Sequence, residues 1–212
     1  MKSRWVIGGG DYLDLAFHAW KQASPDEHVQ KIEVAQGEED ELNLAVFEQL
    51  DPETGDAFIA FDDRFGNFKR MELFRAALER GFAMAPFISA SADVAGDAAI
   101  GRNVFVGSRA VIGHGCKVEY NSVVHAGAQL GANSHLRSSV WIEPGVQIGS
   151  GVKVGAHAIV RTGAIVHSNI RIGKSAELGW PQIYNTDIAD KTVYDIRYDE
   201  PIYVYNYSPS QT

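Results

Sequence analysis

The sequence predicts a small α/β unit followed by a left-handed parallel β-helix of hexapeptide repeats, with capping strands at the carboxyl end. Three observations carry this expectation. A branched aliphatic residue stands at every sixth position from Ile88 to Leu178, sixteen positions without a break. Four residues after each of them the side chain is nearly always small or β-branched, as at Ala98, Val104, Ala110, Cys116, Ser122, Ala128, Ser134, Val140 and Ala158. Ahead of the repeat, residues 1–85 alternate segments of strand and helix character.

In that first unit, RWVIGGGDY reads as a strand entering a glycine turn, followed by a helix over about Asp11 to Gln22. KIEVAQ is a second strand, DELNLAVFEQL a helix starting near Asp40, DAFIAF a third strand, and KRMELFRAALERG a third helix stopped by Gly81. Alternation at this spacing implies a parallel sheet with helices on its faces, which binds ligands at the carboxyl ends of its strands. The turn Gly8-Gly9-Gly10-Asp11 falls at that edge, where backbone N–H groups at a helix start can hold a phosphate or other anion. It lacks a full G-x-G-x-x-G, and glycines also serve where a chain must simply bend. Asp11 suits an N-cap and repels phosphate.

Residues 86–180 are the β-helix. Both recurring positions must point inward, because a helix needs a 3.6-residue period and a sandwich a two-residue one. Position three of the unit is repeatedly Asn, Gly or Asp (Asp97, Asn103, Gly115, Asn121, Gly127, Asn133, Gly145, Gly151, Gly163, Asn169), residues that tolerate positive φ at tight corners. Each hexad is thus a short strand and a corner. Three hexads close a triangular coil, and successive coils stack at about 4.8 Å.

Residues 181–212 form an extension in which KTVYDIRYDEPIYVYNY alternates like one or two strands around Pro201 and caps the open end. Its tyrosines, Tyr194, Tyr198, Tyr203, Tyr205 and Tyr207, read either as a partner-binding strip or as ordinary edge-strand residues.

A net charge of −8 and a pI near 5.3 speak against nucleic acid and anionic membrane as partners. The lone Cys116 excludes an intramolecular disulfide, and its inward position makes it a small apolar filler. No membrane span or signal-peptide start is visible, so no membrane insertion is expected and the cytoplasm is the default compartment. His114, His125, His135, His157 and His167 fall in five different columns of the repeat, which argues against a zinc site and for no metal.

The glycine turn followed by D-x-x-x-L-A in IGGGDYLDLAFHAW, the junction PFISASADV and the unbroken hexads together resemble bacterial sugar O- and N-acyltransferases of the sialic-acid and bacillosamine acetyltransferase type. The resemblance implies a half-Rossmann unit holding a nucleotide-linked sugar at Gly8, Gly9, Gly10 and Asp11. It also implies a homotrimer, with acetyl-CoA or another acyl-CoA as co-substrate in the groove between neighbouring prisms. The reaction would be acyl transfer to a hydroxyl or amine in surface polysaccharide or glycan synthesis.

Such a reaction needs a general base. The family places a histidine two residues after the aliphatic position that is Val124 here, followed by an acidic residue or a second histidine; this chain has Ala126 and Gly127. The adjacent His125 is the candidate base, with Glu143, one coil on, to orient it and raise its basicity. His135 occupies a position that contacts the acyl donor in some members. Counting by eighteen, it stacks with Lys117, Lys153 and Arg171 in a stripe suited to coenzyme A phosphates, although exposed charges need no such reason. Where the family runs through small residues past the last coil, this chain has Gly179-Trp180-Pro181-Gln182-Ile183-Tyr184, which either narrows the donor channel or reshapes it for another acyl group. Two alternatives stay open: a non-catalytic trimeric sugar-nucleotide-binding or scaffold homologue that has lost the base, and catalysis without a protein base.

Overall fold

The computed structural model describes residues 3–37 and 41–204. Its first unit runs β1 (Ser3–Gly9), α1 (Asp11–Ala23), β2 (His28–Glu33), β3 (Gly55–Phe61) and α2 (Phe68–Glu79), with a parallel sheet in the order β2-β1-β3. The helix expected in the middle is only a 3-10 segment, Leu44–Gln49. Asn43 opens it by accepting from the Ala45 N–H (3.1 Å), and it ends just ahead of Asp51-Pro52, where the residue before proline disfavours helical backbone. Its expected start at Asp40 lies outside the described residues.

Alternation along the strands divides the sheet between two cores. Trp5, Ile7, Ala57, Ile59 and Phe61 pack on α2 through Met71, Leu73, Phe74 and Ala77. Val6, Phe58 and Ala60 pack on α1 through Tyr12, Leu13, Ala16 and Trp20, and that same cluster takes in Phe87, Phe105, Val123, Trp141 and Ile159. These last five are outward side chains of one face of the β-helix, so α1 lies between sheet and prism. Gly8, inside β1, has no room for a Cβ because the Ala60 backbone of β3 occupies that space. Its role is close packing of strands.

From Phe87 the chain forms the left-handed parallel β-helix. The first face stacks the strands Phe87–Ile88, Phe105–Val106, Val123–Val124, Trp141–Ile142, Ile159–Val160 and Glu177–Leu178. The second runs from Asp93–Val94 to Ile183–Tyr184 and the third from Ala99–Ile100 to Arg171–Ile172. Register advances by eighteen residues per coil, as in Val124 opposite Ile142.

Aliphatic positions from Val106 to Leu178 fill the buried core. Ile88 is 42% exposed, and Val94 and Ile100 are less than fully covered, because the first coil has no coil beneath it. Ser122 and Ser134, polar at inward positions, donate to the carbonyls of Arg137 (3.0 Å) and Gly149 (2.8 Å), so neither of these two hydroxyls is left unpaired.

Every corner from Asn103 to Ser175 has positive φ, including Arg109, Ser139, His157 and Ser175, which no residue preference would select. At ten of these thirteen corners the N–H reaches the carbonyl nineteen residues earlier, as Asn121 reaches Arg102 (3.0 Å) and Asn133 reaches His114 (2.7 Å). Asp97, expected to share this conformation, does not, since no coil lies beneath it.

At the far end Thr192–Tyr194 extends the first face and pairs antiparallel with Ile202–Tyr203. Trp180, Tyr184 and Tyr194 meet edge to face (5.0 and 5.2 Å), and the Trp180 indole donates to the Asp195 carbonyl (2.8 Å). The bulky residues after the last coil therefore plug the prism. Tyr198 and Tyr203 are exposed, and Tyr205 and Tyr207 lie outside the described residues.

Candidate active site

The carboxyl ends of β1 and β3 abut the first face of the prism, held there by polar side chains that replace missing strand partners. The Asn103 carboxamide pairs with the outer edge of β3, accepting from the Ile59 N–H (2.7 Å) and donating to its carbonyl (3.1 Å). It is the foot of a ladder in which Asn103 donates to Asn121 (2.9 Å) and Asn121 donates to Ser139 (2.7 Å). Arg70, on α2 and fully buried, donates to the carbonyls of Phe61, Asp62, Asn121 and Ser139 at 3.2–3.4 Å. Asn67, also buried, donates to the His157 carbonyl (3.4 Å).

Two cavities open along this seam. The first, about 480 Å³, lies at the carboxyl edge of the sheet and is lined by Gly10, Asp11, Tyr12, Asp62, Asp63, Arg64, His125 and Trp141. The second, about 570 Å³, runs between α1 and the prism corner past His18, Phe105, Ser89, Ser91, Ser108, Ala126 and Pro144; Leu15 and His125 border both. Gly9 and Gly10 also border a third hollow beside Glu33 and Val34 at the end of β2. Of the expected turn residues, Gly9, Gly10 and Asp11 thus reach cavities. Gly10 (φ 74°), not Asp11, holds the N-cap position of α1.

His125 is only 8% exposed, with its ring against Trp141 (4.6 Å), Tyr12 (5.9 Å) and Phe105 (6.4 Å). Its Nε2 is buried and takes no partner among the described residues. Burial pushes its pKa down to about 4, against a smaller upward pull from Glu143.

Glu143 does stand in the His125 column, but its oxygens accept from Arg161 (2.8 Å) and from the Thr162 N–H (2.8 Å). The expected orienting contact between Glu143 and His125 is therefore corrected: the carboxylate is spent on its neighbours. Burial works to raise the Glu143 carboxyl, and the bonds from Arg161 and Thr162 outweigh it and hold it below the ordinary value. Arg161 gathers Asp63 (2.5 Å), Glu143 (2.8 Å) and Glu177 (2.8 Å), tying the loop after β3 to the prism.

A buried neutral imidazole makes stability depend on pH with a definite sign. The His125 pKa, near 6.5 unfolded, lies at about 4 in the fold. The unfolded chain therefore takes up the proton first as pH falls. Stability is full above about pH 6.5 and declines toward pH 4, by about 3 kcal/mol from this residue. His157, stacked on Phe68 (4.6 Å) and also pushed by burial to about 4, acts in the same direction. Urea midpoints between pH 7 and 4 are expected to fall less steeply in His125→Phe than in the parent; equal slopes would contradict the burial described.

On the third face, Lys117, His135, Lys153 and Arg171 stand in consecutive register, as counting by eighteen requires. The His135 Nε2 meets the Glu119 carboxylate at 2.8 Å. This stripe and His125 are on different faces, and a single chain does not bring them together. A further histidine pair, His114 with Asp97 (3.2 Å), sits on a corner and is largely exposed. Sequence reasoning missed Asp62 and Asp63, although the rule that pointed to the turn after β1 applies equally after β3. It also missed Arg70, whose burial nothing local announces. Among the described residues no group of three or more His, Cys, Asp or Glu could hold a metal, and no helix is long and apolar enough to cross a membrane.

Comparison with known proteins places the chain in a fold. Residues 98–132 match the family model described as hexapeptide repeat of succinyl-transferase. No curated protein matches it. Among solved structures, a mutant of perosamine N-acetyltransferase from Caulobacter crescentus in complex with CoA and GDP-perosamine aligns at TM-score 0.77 and 20% identity, over 91% of this chain and 93% of that one. WeeI from Acinetobacter baumannii aligns at 0.81 and 14%, over 95% and 100%. The acetyltransferase domain of PglB from Neisseria gonorrhoeae, in complex with acetyl coenzyme A, aligns at 0.63 and 21%, over 95% and 100%. All share the small α/β unit and the left-handed β-helix.

Proposed function

We propose that the chain is an acyl-CoA-dependent acyltransferase acting on a nucleotide-linked sugar in the synthesis of a surface glycan, working as a cytoplasmic homotrimer. The observation that carries the reading is the pair of cavities meeting at His125, one of them at the carboxyl edge of the parallel sheet, where such sheets take ligands. Similarity in fold to enzymes solved with CoA and a sugar nucleotide supports it.

Within this reading Gly10 and Asp11 border the acceptor site, with Asp62 and Asp63 facing them, and Gly9 borders the neighbouring hollow at the end of β2. Asp62 is paired with Arg64 (2.7 Å) and Asp63 with Arg161 (2.5 Å), so the cavity offers acceptors beside a guanidinium, a lining suited to the hydroxyls or amine of a sugar. His125 lines the acceptor site as a neutral hydrogen-bonding group. With its pKa near 4 it is a poor proton acceptor at neutral pH, since a base works best when its pKa lies near the working pH. The cations of the third face, Lys117, Lys153 and Arg171, are the acyl-CoA side, a stripe of positive charge on a protein of net charge −8. The acceptor and donor sides lie on different faces, so a complete site needs a second copy of the chain.

Titration calorimetry of the whole protein with acetyl-CoA and longer acyl-CoAs tests this directly. Saturable, salt-sensitive binding is expected, weakened at least about tenfold in the double variant Lys153→Glu, Arg171→Glu, a loss of about 1.4 kcal/mol. Failure to bind any acyl-CoA favours the non-catalytic reading.

A further inference from the structure

The third face, the expected acyl-CoA side, carries a cavity of about 500 Å³. Its walls include Arg102, Lys117, Glu119, Tyr120 and His135. The Tyr120 ring stacks on Phe74 of α2 (5.3 Å, 14° between planes), which fixes that wall to the first unit. Glu119 and His135, joined at 2.8 Å, have side chains 30% and 31% exposed, shielded enough to keep one geometry and open enough to meet a ligand.

We propose that this cavity is the acyl-transfer centre, with His135 as general base and Glu119 as the residue that positions it. The inference rests on the acyltransferase reading and supplies what Ala126 and the buried His125 leave missing. A carboxylate on one imidazole nitrogen selects the tautomer and stabilises the imidazolium, the arrangement that makes histidine a base near neutral pH. Nε2 is the nitrogen that Glu119 holds, and Nδ1 takes no hydrogen bond among the described residues. His114 has a carboxylate too, but at 3.2 Å and with a side chain 82% exposed, outside any described cavity. Lys153 and Arg171 continue the column beyond His135 at one strand spacing, about 4.8 Å, per step, in place to hold the phosphates of a donor whose thioester lies at His135.

The chemistry balances without any further reagent. The acceptor nitrogen or oxygen adds to the thioester carbonyl carbon, forming the C–N or C–O bond, and its proton passes to His135 Nδ1. The C–S bond then breaks and the imidazolium returns the proton to the departing sulfur. The products are the amide or ester and CoA thiol. Because the acceptor cavity is on the first face, the sugar reaching His135 is held by another copy of the chain.

Charged and titratable groups around His135 are Glu119, Lys117, Lys153, Arg102, Arg137 and Tyr120, with Arg137 also on the Glu119 carboxylate at 3.4 Å.

The test follows CoA thiol released from acetyl-CoA by the intact oligomer, with UDP-, GDP- and dTDP-linked amino and neutral sugars as acceptors. His135→Gln is expected to lower kcat about 100-fold or more while acetyl-CoA binding, measured by calorimetry, stays within about threefold. Glu119→Gln is expected to lower kcat less and to move the acidic limb of the kcat/KM profile to lower pH, because the imidazolium loses its counter-charge; a merely structural role would not move that limb. Weaker acetyl-CoA binding with kcat unchanged in His135→Gln would make His135 a donor contact only and overturn the assignment, as would an unmoved limb in Glu119→Gln. If the parent protein binds no acyl-CoA, the acyltransferase reading itself fails, and the base falls with it.

Discussion

Replacing Arg70 by methionine is expected to lower stability by about 2–4 kcal/mol, the cost of leaving buried carbonyls without a donor less the desolvation of the cation that is removed. Methionine keeps much of the stem volume, so the loss is chiefly polar. Four carbonyls, those of Phe61, Asp62, Asn121 and Ser139, lose their donor in a place that water cannot easily reach. Each orphaned acceptor costs about 1–3 kcal/mol if nothing replaces the bond. The Trp141 ring, 5.1 Å from the guanidinium, loses a cation as well. Two of those carbonyls belong to the end of β3 and the first residue of the loop after it, and two to prism corners, so the variant should also loosen the first unit from the β-helix. Urea unfolding followed by tryptophan fluorescence would then separate into two transitions, since Trp5 and Trp20 report the unit and Trp180 the prism end. A single transition displaced by less than about 1 kcal/mol would show that the seam does not depend on Arg70.

Arg161→Leu is expected to act on the same seam by a different route. It leaves Asp63, Glu143 and Glu177 converging with no counter-charge. Arg161 is 30% exposed, so solvent moderates the penalty, and a loss of about 2–3 kcal/mol is expected where full burial would give more. Part of that loss is mutual repulsion and should be recovered in high salt. The variant also sends a signal to His125. Glu143 and Asp63 already pull its pKa upward, and without Arg161 that pull is no longer neutralised. The His125 ring proton, followed by NMR, should titrate at higher pH than in the parent. A titration unchanged or displaced downward would mean that the carboxylates had moved away from His125.

How much of this was legible in the sequence depends on whether an interaction repeats. The inward positions and the columns Lys117, His135, Lys153, Arg171 and His125, Glu143, Arg161 follow from counting, because the coil length is constant. Corner conformation was only half legible. Asparagine and glycine advertise it, but Arg109, Ser139, His157 and Ser175 adopt it as well, the last three with their N–H bonded to the coil beneath. Contacts that leave the column were invisible. Glu143 shares a column with His125, yet Arg161 and the Thr162 N–H claim its oxygens. Glu119 reaches His135 across sixteen residues, two short of a full coil, by the length of its side chain. Arg70 reads as one more cation on an amphipathic helix until the unit is laid against the prism. Shrinkage of the middle helix to Leu44–Gln49 is a matter of local chemistry, a capping asparagine at one end and Asp51-Pro52 past the other.

The core of the prism repeats every six residues, whereas the outer surface repeats every eighteen. An insertion or deletion of one hexad would keep every aliphatic residue inward and every corner in place, and so would be tolerated by the interior. Every later outward side chain would nevertheless turn onto the next face: Trp141 and Ile159 would leave α1, and Lys153 would leave the line of His135. Lineages of such a protein can therefore change length safely only by whole coils. Gaps of six in related chains would mark a rewired surface on an undamaged scaffold.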